Sequence, residues 1–375
     1  MQYMKKISKR RLIDLSFIIC HLSFSAALLA SCSIMQDDRS NCPDCRNPLY
    51  ITLCYNYNTM RADMFHDHVE QATVYLVNPQ TNAVVDFQTA ANATPHSDQR
   101  SENTANDKPL RDKSFGFNFE GLAPGNYRLY ATGRSAADAS IGITAPAIGE
   151  AISKIQFTIP ADATGNVPTQ RLDTVWNTLK PVDIVVPERE PTEATIPLMR
   201  LTNDLNIMIF RRDTPTDNGH EMYDVRVTDE NPAIDFDNQP TAERIGNPMM
   251  TYRPFAAWTT ETTSDDGLGV STIVERNAHY DLTLSRLVSH SDARRNARLI
   301  ITNRTDGQEI VNIDLCHYLA LARNAYEIYN YGTQEYLDRE YDYRLDFGVE
   351  GNTWKYMTIS INVLSWAIRI QNEEL

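Results

Sequence analysis

The sequence predicts a mainly β protein, built as two β-sandwich domains in series with few short helices. Many short stretches alternate apolar and polar residues with a period of two, which is the pattern of strands with one buried face. Clusters of Pro, Gly, Asn and Asp separate these stretches, and such residues mark turns. The chain has 375 residues, of which 42% are hydrophobic, so it is long enough to bury more than one core.

The first half of the chain contains several strand-like stretches. In LYITLCYNYN, the alternate residues Leu49, Ile51 and Leu53 are apolar, as in a half-buried strand. The stretches are 49–58, 72–89 with a turn at Asn78-Pro79, 115–133 with a turn at Pro124-Gly125, and 154–160. The Pro-Gly turn predicts that the third stretch is a hairpin. We expect a polar loop over 90–113, and a short helix or a loop over 134–153.

Four prolines interrupt the segment that ends near residue 200. Proline removes a backbone donor and fixes φ, so it punctuates extended chain and suits a junction. The four are Pro181, Pro187, Pro191 and Pro197. We therefore predict an N-terminal β-sandwich domain over 48–200 and a C-terminal one over 201–375.

The second half of the chain repeats the strand pattern. Its alternating runs are 201–212, 222–229, 279–288, 297–304, 309–315 and 341–349. Residues 230–271 show no such alternation, and we expect them to be rich in loops. Residues 316–328 are the best helical candidate. In the last run, 354–375, the alternation shifts by one residue near Leu364-Ser365, which predicts a bulge or a turn.

The N-terminus has the features of a secretory signal peptide. Five Lys or Arg residues precede a short, interrupted apolar stretch, which is too short to span a bilayer. The stretch ends in LASC (29–32), which resembles the bacterial lipobox, in which the cysteine thiol receives a diacylglycerol. We therefore expect residues 1–31 to be removed and Cys32 to carry lipid. Ordinary cleavage nearby, with a free cysteine, is the alternative.

The residues that follow, 32–47, are polar and are expected to form a flexible tether. Cys42 and Cys45 have CxxC spacing, but no βαβ pattern surrounds them, which disfavours a redox role. A disulfide between them, or from one of them to Cys54, suits an oxidising compartment. The FHDH segment (65–68) could add zinc ligands, but it falls in an expected loop. We therefore predict no metal site and no cofactor.

The net charge and the absence of several catalytic motifs disfavour several functions. The formal net charge is −14, which disfavours binding to nucleic acid or to anionic lipid because both need a basic surface. No GxSxG, HExxH or Gly-rich phosphate loop occurs in the sequence. We therefore predict that the protein is not an enzyme.

An acidic pair lies shortly after Cys32. Asp37 and Asp38 could simply keep the tether soluble. They are also similar to the short acidic stretch that follows the lipidated cysteine in surface-exported lipoproteins of Bacteroidales. The second interpretation predicts that the protein is exposed on the cell surface.

Several segments together resemble one family, the fimbrial anchor (minor fimbrial subunit) lipoproteins of Bacteroidales. The C-terminal segments carry most of this likeness. The segments are LYITLCYNYN (49–58), FHDHVEQATVYLVNPQTNAVV (65–85), the PGxY turn (124–127), IPLMRLTNDLNIMI (196–209), QEYLDREYDYRLDF (334–347) and WKYMTISINVLSWAIRIQN (354–372).

The resemblance implies a fold, a role and a location. It implies two transthyretin-like β-sandwich domains without catalytic activity. It implies an anchor that is held in the outer membrane by its lipid, joins fimbrial stalk or accessory subunits and limits fibre length. Assembly by strand addition would place a partner strand against an open sheet edge. The run 355–370 could be a core strand or an exchanged strand, and its apolar residues favour the core.

One alternative function stays open at this stage. The protein could be a surface lipoprotein that binds glycan or host protein through the loops of its sandwiches. An exposed row of aromatic residues on one sheet face would favour this alternative.

Overall fold

A computed structural model describes residues 48–92, 109–135, 140–241, 249–265, 271–325, 330–361 and 367–371. Strands dominate these residues, so the predicted mainly β class is confirmed. The transthyretin-like arrangement and the domain bounds at residues 48–200 and 201–375 stay predictions.

The described part of the first half holds β1 to β10 and a short helix, α1. Their bounds are β1 (Leu49–Cys54), α1 (Phe65–His68), β2 (Gln71–Val77), β3 (Val84–Ala91), β4 (Phe117–Phe119), β5 (Gly125–Arg134), β6 (Gly142–Thr144), β7 (Gln156–Thr158), β8 (Val175–Thr178), β9 (Val182–Val186) and β10 (Thr192–Arg200).

The described part of the second half holds β11 to β21, α2 and α3. Their bounds are β11 (Thr202–Arg211), β12 (Tyr223–Asp229), β13 (Ala233–Asp235), β14 (Met250–Tyr252), β15 (Ala256–Asp265), β16 (Ser271–Ser285), β17 (Arg298–Asn303), β18 (Glu309–Asp314), α2 (Leu315–Leu321), α3 (Thr333–Arg339), β19 (Asp342–Glu350), β20 (Thr353–Ile361) and β21 (Ala367–Gln371).

An eight-stranded sheet forms most of the first half. Its order is β3-β2-β5-β8-β10-β1-β4, and β9 joins it beside β5. The β1 strand pairs in parallel with β10 and antiparallel with β4. Leu49, Ile51 and Leu53 alternate inward from β1 and are almost completely buried, which explains why this segment forms a strand with one solvent face.

The middle of this sheet is buried on both faces. On β2, Val74 and Leu76 belong to one hydrophobic core, which also holds Trp176 of β8. Tyr75 of β2 and Tyr130 of β5 belong to a second, larger core, which extends into the second half of the chain. Strands buried on both faces carry little alternation, and the sheet is therefore sandwiched between two cores.

The second half packs two sheets face to face. A six-stranded sheet has the order β15-β16-β11-β19-β20-β21, and a four-stranded sheet has the order β14-β12-β17-β18. Ile207 of β11, Leu299 of β17 and Ile359 of β20 contribute to the core between them. Each side chain of this size contributes about 1.5–3 kcal/mol when it is buried fully.

Contacts cross the predicted boundary at residue 200. The β7 strand, from the first half, pairs with β13, from the second, in a three-stranded sheet with β6. The backbone N–H of Val167 also donates to the carbonyl of Thr251 in β14 at 3.0 Å. The two halves therefore share backbone hydrogen bonds as well as a core.

Two expectations about strands were wrong. The β4 strand pairs with β1 and β5 pairs with β2, so residues 115–133 do not form a hairpin. Residues 230–271 contain β13, β14 and the ten-residue β15 rather than mainly loops. The β15 side chains are exposed on both faces, so burial imposes no alternation on the sequence there.

The helical prediction was correct in place but too long. The α2 helix covers only Leu315–Leu321, and a 3-10 turn follows over Ala322–Ala325. The Asp314 side chain caps α2 by accepting from the backbone N–H of His317 at 2.9 Å. The sequence prediction missed α3. The expected bulge near Leu364-Ser365 lies outside the described residues.

Candidate functional site

The predicted lipid and disulfide positions cannot be placed in the fold. Cys32, Cys42 and Cys45 lie outside the described residues, so their roles stay predictions. The two described cysteines, Cys54 and Cys316, are free thiols. Burial raises the pKa of both thiols, which lowers the thiolate fraction and makes reactive chemistry at these positions unfavourable.

The histidines of the FHDH segment have structural surroundings. His66 lies on α1 with its Nδ1 2.6 Å from the carbonyl oxygen of Leu110. Its ring also meets the edge of Phe65. Across the described ranges, no group of three or more His, Cys, Asp or Glu side chains is arranged to hold a metal ion. The helices within those ranges include none that is long and apolar enough to cross a membrane.

A set of buried and half-buried polar side chains lies where the two halves meet, and we call it the seam. Its members are Arg200, Asp204, Arg286, Asp338 and Glu340. The Arg200 guanidinium donates to Asp204 at 2.7 Å and lies over the Tyr341 ring, 4.3 Å from its centroid. A buried arginine needs such partners because an unpaired charge away from water is costly.

Glu340 fixes the chain just after β1 to the second half. The Thr59 hydroxyl donates to Glu340 Oε2 at 2.8 Å, and the Thr59 backbone N–H donates to the Arg339 carbonyl at 3.2 Å. The Arg339 guanidinium stacks over Tyr57, 4.0 Å from the ring centroid. Burial raises the pKa of Glu340, which is 1% exposed.

Arg286 and Asp338 form a second buried ion pair of the seam. Arg286 donates to both carboxylate oxygens of Asp338, at 2.7 and 2.8 Å. It also donates to the carbonyl of Asn238. The Asn238 side chain in turn accepts from Asn177 at 2.8 Å and donates to the Thr178 carbonyl at 2.9 Å. This network joins β8 of the first half to α3 of the second.

A buried carboxyl lies close to the same region. Asp229, at the end of β12, accepts from the Asn231 side chain at 3.1 Å. Burial raises the pKa of Asp229 to about 7. Within the described residues its Oδ1 has no hydrogen-bond partner, so ionising Asp229 at this buried position is unfavourable.

The outer face of the six-stranded sheet carries several aromatic rings, and one of them, Trp258, is exposed. Trp258 of β15 lies opposite His279 of β16, and their rings stack with centroids 5.1 Å apart and planes 7° apart. The Thr260 hydroxyl lies 2.8 Å from His279 Nε2, and it holds the imidazole in place. Trp258 is still 41% exposed. Burial, and then Arg344, lower the pKa of His279, which keeps the imidazole neutral at pH 7.

The row continues across the sheet, and we call it the aromatic face. Its members are Trp258, His279, Met208, Phe210 and Tyr356. Met208 lies opposite His279 on the next strand, and the rings of Phe210 and Tyr356 are 5.4 Å apart. Asp346 is the strand partner of Met208 on the other side and accepts from Arg344 at 2.9 Å. A face with aromatic planes beside charged hydrogen-bonding groups can bind a ligand that has both apolar and polar edges.

Two strands are relevant to strand addition. Within the described residues, β15 pairs with β16 alone, so it lies at the edge of its sheet. The β20 strand lies between β19 and β21, and Met357 and Ile359 are buried. The expectation that this C-terminal run belongs to the core is met for β20. An edge strand such as β15 offers a row of N–H and C=O groups to a partner strand.

The described residues form a mainly β fold, with a polar seam inside and the aromatic face outside. The chain belongs to the family described as fimbrillin-A associated anchor proteins Mfa1 and Mfa2, whose sequence model matches residues 39–372. This membership confirms the family resemblance and gives the protein a fimbria-associated role at the cell surface. No curated protein matched the chain.

Solved structures show the same fold at low sequence identity. A candidate adhesin from Bacteroides thetaiotaomicron has 21% identity and a TM-score of 0.68, with 87% of this chain and 99% of that chain covered. A candidate polysaccharide-binding protein from the same organism has 22% identity and a TM-score of 0.66, with 87% and 98% covered. The fimbrial anchor protein Mfa2 from Porphyromonas gingivalis has 15% identity and a TM-score of 0.56, with 86% and 99% covered.

Proposed function

We propose that the protein anchors a fimbria to the outer membrane through a lipid on Cys32, joins the stalk and limits fibre length. Membership of the fimbrillin-A associated anchor family carries this proposal, because the match covers residues 39–372. The lipobox-like LASC (29–32) supports the lipid. The position of β1 also supports the anchor role, since β1 begins at Leu49, directly after the expected tether.

The stalk contact is proposed to use the second half of the chain. The β15 edge is the favoured acceptor for an added strand, because it is ten residues long, contains no Pro or Lys and is largely exposed. Natural edges are usually protected by such residues or by burial. The burial of β20 makes exchange of the run 355–370 less favourable, because Met357 and Ile359 would have to leave the core.

The lipid claim is tested by substitution of Cys32. Cys32→Ala should move the protein from the outer-membrane fraction to the soluble fraction, because the remaining chain has no acyl group to bury in the bilayer. The matched control is Cys42→Ala, ten residues further along the tether, which should stay with the membrane. Wild-type partitioning of Cys32→Ala would overturn lipid attachment there.

The anchor role is tested by deletion of the gene. Electron microscopy should then show fibres that are longer and that are shed into the medium. Complementation with the wild-type gene should restore length and attachment, and complementation with Cys32→Ala should not restore attachment. Unchanged fibre length and unchanged attachment in the deletion strain would refute the anchor role.

A second candidate function is saccharide binding by the aromatic face. The exposed Trp258 ring supports it, because an indole plane can stack on the apolar face of a pyranose while Asp346 and Arg344 offer hydrogen bonds to hydroxyl groups. One structural relative is described as a candidate polysaccharide-binding protein. An exposed row of aromatic residues on one sheet face would favour this alternative, and Trp258 provides one exposed ring on this face.

The second function is tested with immobilised neutral polysaccharides, such as a β-glucan, an α-glucan and a mannan. Wild-type protein should bind at least one of them, and Trp258→Ala should lose that binding by tenfold or more, the equivalent of about 1.4 kcal/mol. Phe87→Ala, which removes an exposed aromatic ring from β3, is the matched control and should bind normally. Equal binding by wild type and Trp258→Ala would exclude the aromatic face.

A further inference from the structure

The chain enters the fold on a parallel strand pair. Within β1, Leu49 pairs with Thr192 of β10, and the register continues without a break to Cys54 and Pro197. The carbonyl of Pro48 also accepts from the backbone N–H of Thr192 at 3.0 Å. The two strands therefore start at the same end of the sheet and run in the same direction.

The partner strand continues directly into the second half. The β10 strand ends at Arg200, and β11 begins at Thr202. The residue between them, Leu201, is buried, and its backbone N–H donates to the Val175 carbonyl at 2.8 Å. The β11 strand pairs along most of its length with β16 on one side and β19 on the other. A force on β10 thus passes along the backbone to the centre of the six-stranded sheet.

This topology decides how a pull from the tether acts on β1. The tether pulls β1 toward its N-terminal end, whereas the second half holds β10 by its C-terminal end. Because the strands are parallel, these two ends lie at opposite ends of the pair. The pull therefore slides β1 along β10 and loads all the hydrogen bonds between them together. In an antiparallel pair the same two ends would lie side by side, and the hydrogen bonds would break one after another.

Side chains also resist the slide. A shift by one residue would turn Leu49, Ile51 and Leu53 out of the core, because successive side chains alternate between the two faces. On the solvent face, the Thr52 and Thr195 hydroxyls lie 2.8 Å apart and hydrogen bond across the pair.

The segment after β1 is also held. The Asn58 side chain is fully buried and donates to the carbonyls of Tyr55 and Ala62, each at 2.9 Å. Thr59 is fixed to Glu340 of the seam. Movement of β1 toward the tether would therefore also require these contacts to break.

We propose that the parallel β1–β10 pair is a mechanical clamp that bears the tension between the membrane tether and the rest of the protein. The proposal rests on the proposed anchor function, because it takes residues 32–47 as the tether that is under tension. It assigns to this pair a force-bearing function that is separate from binding any partner.

The test is single-molecule force spectroscopy on the chain from Ser33 onward, with one handle at Ser33. The second handle is placed either at Thr216, beyond the end of β11, or at Arg189, just before β10. Both positions are exposed. The Ser33–Thr216 pull loads the pair along its length, and the Ser33–Arg189 pull opens it from one end. We expect a rupture force several-fold higher for the first pull. Equal forces would overturn the clamp.

A cross-link gives a second measurement. In a background with Cys42, Cys45 and Cys54 replaced by serine, Thr52→Cys with Thr195→Cys should form a disulfide across the solvent face. Under the Ser33–Thr216 pull, the detachment of β1 from β10 lengthens the molecule. The oxidised protein should not show this gain in length, and a reductant should restore it. Unchanged extension in the oxidised protein would contradict the proposal. Both measurements use purified protein, so their outcome does not depend on whether Cys32 is lipidated or fibres are anchored.

Discussion

The seam and the aromatic face differ in how far their side chains are exposed to solvent. The seam buries charged groups, such as Arg286 and Asp338, whose side chains are each 7% exposed. The aromatic face leaves Trp258 41% exposed. Buried charges cost desolvation free energy and rarely add stability over apolar packing, but they constrain geometry because each needs its own partner. The difference indicates that the seam fixes how the two halves meet, whereas Trp258 on the aromatic face stays open to solvent.

Breaking the seam should have the largest effect on stability. Asp338→Ala would leave Arg286 buried without its carboxylate partner, which should lower the free energy of unfolding by about 3–5 kcal/mol. The measurement is urea unfolding followed by tryptophan fluorescence. Asp183→Ala removes the carboxylate of an exposed pair with Arg128 and should cost about 1 kcal/mol or less. A similar, small loss for both variants would show that the seam does not constrain the fold.

The buried Asp229 beside the seam should make stability depend on pH. Its folded-state pKa is raised to about 7 from an ordinary value of 3.8. The folded state therefore holds the proton more tightly than the unfolded state does. The stabilisation is fully present below the ordinary pKa and is lost as the pH rises to about 7, by an amount on the order of 4 kcal/mol.

The check is the free energy of unfolding at several pH values between 4 and 8 for wild type and Asp229→Asn. The amide cannot ionise, so the variant should lack this part of the pH dependence and should be more stable than wild type at pH 8. Parallel pH curves for the two proteins would show that Asp229 is not protonated in the fold. Asn231, which donates to this carboxyl, is unchanged in both proteins.

A larger side chain in place of Gly348 on the aromatic face should destabilise the fold. A Cβ on Gly348 would overlap the Tyr356 ring, and Phe210 and Arg212 contact that ring. Gly348→Ala should therefore displace Tyr356 and lower the free energy of unfolding by about 1–3 kcal/mol. Thermal unfolding measures the change. Tyr356→Leu in the same chain should restore part of the loss, and no recovery would show that the clash lies elsewhere.

The exposed end of the same face should matter least to stability. Trp258→Ala removes a largely exposed ring and one stacking contact, so we expect a loss of about 1 kcal/mol or less. The same variant is expected to lose saccharide binding, and thermal unfolding beside the binding assay separates the two effects. A loss as large as that of Asp338→Ala would show that Trp258 is a core residue and would remove the contrast between the two regions.

The sequence by itself determined the strand-rich class and most strand positions in both halves. Alternation sufficed at β1, β11, β12 and β17, because one face of each strand is buried and the other is not. It also sufficed to recognise the family from the C-terminal segments, which the match over residues 39–372 confirms. These are local patterns, and a single sequence contains them in full.

Only the tertiary structure decided which strands pair and which polar residues are buried. The parallel pairing of β1 with β10 joins segments that are more than a hundred residues apart, and no local pattern encodes it. The exposed β15 was missed because no buried face imposes a period there. Arg200, Arg286 and Glu340 look like surface residues in the sequence. Their burial depends on partners that the fold brings from distant positions.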